Sequence, residues 1–214
     1  MVEQRTENPR VAGSIPALAT IFLLFDIVMR ISGGEWCGRK LKVPPGNAVR
    51  PTQDRVREAL FSMLMGVVPD AAFLDLYAGS GSVGLEALSR GARSATWVER
   101  NPRHVALLRA NAEALGAAGE VVCCEAVRWL KGPGRERRFD VVFADPPYED
   151  ARERGFSELM GLLADNGAVR DGGVFVAEMP EARPAEEVPG WLLLRDRAYG
   201  HTRLAVYKRG SSPQ

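Results

Sequence analysis

The 214-residue chain predicts an α/β fold built on a doubly wound, mostly parallel sheet. Three observations carry that reading. Short continuous apolar runs alternate with segments of helical period, the pattern of strands covered on both faces. A glycine-rich turn, Tyr77-Ala78-Gly79-Ser80-Gly81-Ser82-Val83-Gly84, follows the first such run and opens a helix. An acidic residue, Glu99, closes the second run about twenty residues further on, as in nucleotide-binding βαβ units.

Residues 1–28 read as an extension outside the fold, of the kind a misassigned start would leave. The apolar run Ala17–Val28 is interrupted by Asp26 and is shorter than the roughly 20 residues a membrane span needs. No clear small-residue cleavage site of a signal peptide follows it. A single domain is expected over residues 29–209, with a tail over 210–214.

The domain opens on a basic segment, 29–57, where Arg30, Arg39, Lys40, Lys42, Arg50, Arg55 and Arg57 face only Glu35 and Asp54. Within it a helix starts after Pro51, with Thr52 or Asp54 available as N-cap and Val56, Leu60, Phe61 and Leu64 on one face. Ala72–Ala78 reads as a strand, Ser82–Arg90 as a helix, and Ser94–Glu99 as a strand. Pro102–Leu115 is helical in period, with Val105, Leu108, Ala112 and Leu115 inward. Glu120–Ala126 reads as a strand and Val127–Lys131 as a short helix. A turn-rich basic stretch containing Arg135, Arg137 and Arg138 then leads into the strand and loop Phe139–Tyr148. A helix over Glu153–Asp165 and strands over Gly172–Met179, Trp191–Tyr199 and Arg203–Lys208 complete the domain.

With 28 basic and 27 acidic side chains the net charge is +1, so the average charge selects no partner. The local clusters do, because basic patches attract phosphate backbones. The chain has three cysteines, and Cys123 and Cys124 are neighbours whose mutual disulfide would be strained. With Cys37 they read as reduced thiols of a cytoplasmic protein. No metal-site spacing occurs, and His104 and His201 read as isolated surface side chains.

In such a sheet, ligands bind at the carboxyl ends of the strands where the winding reverses. Glycines there allow close backbone approach, the amides of the next helix face the ligand, and Glu99 is placed for a ribose diol. These features fit a nicotinamide dinucleotide and other adenosine cofactors equally. The discriminating piece is Asp145-Pro146-Pro147-Tyr148, which also follows an apolar strand. The two prolines remove two backbone donors and leave carbonyl oxygens beside one carboxylate. Acceptors next to an aromatic ring suit the exocyclic amine of a nucleobase turned out of its stack.

The tetrad, the segment Asp75–Ala92, the helix Arg50–Phe61 and the opening Met29–Pro44 together resemble the RsmD family of 16S rRNA guanine-N2 methyltransferases. The likeness runs from Met29 to about Tyr207. It implies a class I S-adenosylmethionine-dependent methyltransferase fold, with seven strands and an antiparallel last strand. It further implies that Asp75, Gly79, Ser80 and Gly81 hold the methionine part of S-adenosylmethionine, with Tyr77, Ala78 and Asp145 also binding the cofactor. Glu99 would take the ribose hydroxyls, with Arg100 and Asn101 also binding the cofactor, and Glu125 and Ala126 would meet the adenine, Glu125 replacing the Asp usual there. Asp145, Pro146, Pro147 and Tyr148 would be catalytic. Thr52, Arg55 and Arg57 match the family pattern and would close over cofactor or contact RNA. Arg39, Lys40, Lys42, Arg50, Arg55, Arg57, Arg135, Arg137 and Arg138 are the candidate RNA contacts. The implied partner is 16S rRNA in the 30S subunit or its assembly intermediate, met by a monomer with neither metal nor membrane. The alternatives are an amino-methylase of adenine in DNA or another RNA, a nicotinamide-dependent dehydrogenase, and a binding module with a vestigial cofactor site.

Overall fold

The computed structural model describes residues 29–44, 51–147 and 155–210, with residues 51–53 described by backbone alone. Residues 1–28, Arg50, Tyr148, the tail 211–214 and the side chain of Thr52 lie outside the described residues. A two-stranded antiparallel ribbon, β1 (Met29–Arg30) and β2 (Lys40–Leu41), precedes helix α1 (Pro51–Met63). Then come β3 (Ala72–Leu76), α2 (Ser82–Ser89), β4 (Ser94–Glu99), α3 (Pro102–Leu115), β5 (Glu120–Cys123) and α4 (Ala126–Lys131). A 3-10 turn (Pro133–Glu136), β6 (Phe139–Ala144), α5 (Ser157–Asp165), β7 (Val169–Pro180), β8 (Trp191–Tyr199) and β9 (Thr202–Arg209) follow.

The main sheet has seven strands in the order β5-β4-β3-β6-β7-β9-β8. Pairings from β5 to β7 are parallel, and β9 runs antiparallel to both its neighbours. The chain builds outward from β3 to β5, then returns to β6 on the other side of β3. The winding therefore reverses between β3 and β6, which opens a crevice at their carboxyl ends.

Strand β3 is buried at every position, as its apolar run requires. On one face of the sheet, Val56, Leu60 and Phe61 of α1, with Leu64 just past its end, pack on Phe73, Val141, Phe143, Val174 and Val176. Beside them α2 and α3 bury Leu85, Leu108, Ala112 and Leu115 on Ala95 and Trp97, joined by Ile31 and Leu41 of the opening segment. Helices α4 and α5 cover the other face through Trp129, Leu130, Leu159, Met160 and Leu163. Gly84 is required by this packing, since a Cβ there would lie 2.2 Å from Trp97 Nε1.

Helix α1 already begins at Pro51, so Thr52 and Asp54 sit inside its first turn and neither is the N-cap. Proline is favoured at the first helical position because its missing N–H would have no partner there. Glu86, fully buried on α2, ties the opening segment and α1 to the sheet. Its carboxylate accepts from Arg57 Nε at 2.6 Å, from Arg90 at 2.7 Å and from both the backbone and hydroxyl of Ser32.

Candidate active site

Two adjoining cavities of about 190 and about 400 Å³ open at the carboxyl ends of β3, β4, β6 and β7. They share Tyr77, Gly79, His104, Asp145 and Glu178, so together they form one cleft at the winding reversal. Glycine loop and proline loop, about seventy residues apart in sequence, thus meet in one place.

The first wall is the turn after β3. Tyr77 and Gly79 have positive φ of 62° and 56°, and Gly81 at φ 83° is the N-cap of α2. A left-handed conformation costs an ordinary side chain about 1–2 kcal/mol, so Tyr77 marks a turn held by its surroundings. A Cβ added at Gly79 would meet nothing within 4 Å and would project into open space. Asp75 lies beneath this turn, 1% exposed, and accepts from the Gly84 amide at 2.9 Å.

The second wall is the end of β4. Glu99 accepts from the Gly79 amide at 2.9 Å and from the Asn101 amide at 2.7 Å, clamping the two loops together. Asn101 caps α3 by accepting from Arg103 N–H. Val98, Arg100, Asn101, Cys124 and Ala126 line the larger cavity, with Pro146 and Pro147 across from them.

The third wall carries carboxylates. Phe73, Phe143 and Val176 belong to the α1-facing core, so Asp75 and Glu178, two residues further along β3 and β7, and Asp145, just past the end of β6, share that face. Burial, opposed by the Gly84 amide and reinforced by Asp145 and Glu99, pushes Asp75 up to about 7. Burial likewise pushes Asp145 up to about 7. Asp145 is open to the cleft, so solvent there relieves part of that shift, and a ligand filling the cleft would restore it. Glu178 is raised well above the ordinary carboxyl range by burial and by Asp145, against the opposing charge of Arg57.

Several expected residues occupy other roles. Glu125 lines neither of the two cavities: its oxygens accept from Val127 and Arg128 amides at 3.0 and 2.7 Å, capping α4. Its longer side chain folds back onto its own helix, and Ala126 alone reaches the cleft. Arg57 is 5% exposed and spends its donors on Glu86, Asp54 and the Arg30 carbonyl. It forms the cleft wall, and its burial removes it from the candidate phosphate contacts. Arg135, Arg137 and Arg138 are exposed, but they precede β6 and so lie at the amino edge of the sheet. Six residues of strand, roughly 20 Å, separate them from Asp145. Arg39, Lys40, Lys42 and Arg55 are exposed. Lys42 directly precedes Val43 and Pro44 of the smaller cavity, its backbone held by Asn111, which also donates to the Ser80 carbonyl.

Two site residues escape the sequence pattern. Glu178 ends the apolar run of β7, and the strand-end rule that finds Glu99 and Asp145 applies to it equally. His104, expected at the surface, lines both cavities with Nδ1 3.8 Å from Glu99. Its place in the first turn after β4 is the available signal. Cys37, Cys123 and Cys124 are free thiols. Among the described residues there is no acidic, histidine or cysteine cluster able to hold a metal, and no helix long and apolar enough to cross a membrane.

A seven-stranded sheet with this order, an antiparallel β9 and a cleft at the β3/β6 reversal defines the class I S-adenosylmethionine-dependent methyltransferase fold. More narrowly, the model of the family described as Conserved hypothetical protein 95 matches residues 29–208, and the chain belongs to that family. It is 40% identical over 183 residues to "Ribosomal RNA small subunit methyltransferase D" of Escherichia coli, covering 85% of this chain and 90% of that protein. The solved structure of yhhF from Escherichia coli is 39% identical, with TM-score 0.77, and covers 86% of this chain and 99% of that one. SMU.776, solved in complex with SAH, shares the fold at TM-score 0.59 and 16% identity, over 75% of this chain and 50% of that one. This membership sets aside the nicotinamide-dependent dehydrogenase.

Proposed function

We propose that this protein transfers a methyl group from S-adenosylmethionine to the exocyclic 2-amino group of a guanine in small-subunit ribosomal RNA. The observation that carries the reading is the shared cleft, in which Asp145, Pro146 and Pro147 face the glycine turn of β3 and Glu99. Relatives named for small-subunit RNA methylation support the substrate class.

The residues present fit the cofactor. Gly79 leaves open space beside the turn, Val98, Cys124 and Ala126 offer an apolar seat, and Glu99 and Asn101 offer polar groups beside it. S-adenosylmethionine supplies an electrophilic methyl on a sulfonium cation, and Asp75 and Asp145 bring negative charge to that region. The cation in turn favours their ionised forms, against the burial that raises them.

The guanine amine is a poor nucleophile because its lone pair is delocalised into the ring. Asp145 and the Pro146 carbonyl accept its two hydrogens and favour a pyramidal nitrogen. Positive charge grows on that nitrogen as it attacks, and preorganised oxygens stabilise it. Asp145, tuned toward neutral pH, takes the released proton and passes it to solvent. Tyr148 stacks on the base and contributes through orientation.

Lys42, Lys40 and Arg55 carry the phosphate contacts, whereas Arg39 donates to the Ala114 carbonyl at the end of α3 remote from the cleft and stands apart from them. The RNA is the 16S species in the 30S subunit or its assembly intermediate, met in the cytoplasm by a monomer over residues 29–209. Primer extension on ribosomal RNA from cells lacking the gene tests the reading. Loss of one guanine methylation in the small-subunit RNA is expected, and an unchanged guanine pattern would contradict it.

A further inference from the structure

We propose that Glu178 reads the N1–H and O6 edge of the target guanine and so separates guanine from adenine at this site. The inference rests on the guanine reading above and assigns a role to a residue that the methyl-transfer steps do not use.

The position of Glu178 comes from the sheet. Ala144 and Ala177 are register partners across the parallel pair β6–β7, so the next residues, Asp145 and Glu178, stand side by side. Adjacent strands are about 4.8 Å apart, close to the reach of one nucleobase edge. Both carboxyl groups line both cavities of the cleft. Arg57, fixed by Glu86, Asp54 and the Arg30 carbonyl, lines the smaller cavity together with Glu178. A reader mounted on a strand and backed by a rigid wall holds its geometry better than one on a loop.

The chemistry then distinguishes the bases. Moving along the Watson–Crick edge from its reactive amine, guanine presents an N1–H donor and then an O6 acceptor. Adenine, with its own amine in the same place, presents the N1 acceptor and then a C–H. A protonated carboxyl beside Asp145 accepts from N1–H through one oxygen and donates to O6 through the other. On adenine it makes one such bond and leaves an oxygen facing carbon. Burial and the Asp145 charge favour that protonated form and outweigh the opposing charge of Arg57. A site built to hydrogen-bond a polar edge rejects an analogue that lacks it, because its buried groups are left unpaired.

The test uses the full chain and small subunits reconstituted with either guanine or 2-aminopurine at the nucleotide that wild-type protein methylates. 2-Aminopurine keeps the amine but lacks both N1–H and O6. Wild type should favour guanine by roughly 100-fold or more in kcat/KM. Glu178→Gln, whose amide also accepts and donates, should keep that ratio. Glu178→Met and the shorter Glu178→Asp should bring it to within about threefold of unity, chiefly by losing activity on guanine. General destabilisation lowers both substrates together and leaves the ratio in place. A ratio near one in wild type, a ratio retained in Glu178→Met or Glu178→Asp, or a folded Glu178→Met inactive on both bases would overturn the assignment. Absence of any transfer to guanine by wild type would instead overturn the guanine reading itself.

Discussion

Replacing Asp75 by Asn should stabilise the ligand-free protein at alkaline pH while weakening its hold on the cofactor. Asp75 is 1% exposed, and burial pushes its carboxyl from 3.8 up to about 7. Between those two pH values the unfolded chain releases this proton and the folded chain keeps it. The folded state then binds more protons, so stability falls as pH rises and levels off above about 7. A shift of about three units corresponds to roughly 4 kcal/mol as an upper bound. Asn removes the charge and keeps an oxygen for the Gly84 amide, 2.9 Å away in the present structure. We therefore expect Asp75→Asn to gain about 2–4 kcal/mol at pH 8, or roughly 4–16 °C in Tm for a domain of this size. Near pH 4 the two proteins should be nearly equal. Urea midpoints across that range, taken without ligand, check the sign and the window. Titration with S-adenosylmethionine and with its neutral thioether product should show the sulfonium form losing about tenfold more affinity, or ~1.4 kcal/mol. Equal or lower stability of the variant at pH 8, or an undiminished pH dependence, would refute the reasoning.

Other outcomes follow from the same geometry. Asp145→Ala should lower single-turnover methyl transfer at saturating cofactor by about 10²–10³-fold, and near-normal turnover would remove Asp145 from the chemistry. Glu86→Ala leaves the buried Arg57 without its main partner and should cost about 3–5 kcal/mol by denaturant unfolding. Gly84→Ala drives a methyl to 2.2 Å from Trp97 Nε1 and should cost about 1–3 kcal/mol, read as a lower Tm. Association with small subunits should weaken steeply with salt, and Lys42→Ala should reduce that slope by about one; a flat response would exclude docking through phosphates.

The strands were legible because a parallel sheet buries both faces, leaving runs such as Phe73–Leu76 and Val141–Ala144 apolar throughout, apart from Asp75. The glycine turn and Asp145 were legible for a related reason, since the carboxyl ends of such strands are where ligands bind. What stayed hidden depends on partners distant in sequence. Arg57 looks like one more cation in a basic segment until Glu86, 29 residues on, is seen to bury it. The Arg135–Arg138 cluster is close to Asp145 along the chain, but β6 carries the two to opposite edges of the sheet. Glu125 follows β5 as expected, and only the fold shows its side chain turning back to cap α4. Glu178 was masked by its setting in an apolar strand, where one carboxyl is easily read as a strand-end solvent contact.

Incubation of purified small subunits from cells lacking the protein with methyl-labelled S-adenosylmethionine, followed by mapping of the label, tests the central claim most directly. The account predicts one labelled site, on the exocyclic N2 of a guanine in the small-subunit RNA. Label on an adenine amine, on another class of molecule, or on no RNA at all would contradict it.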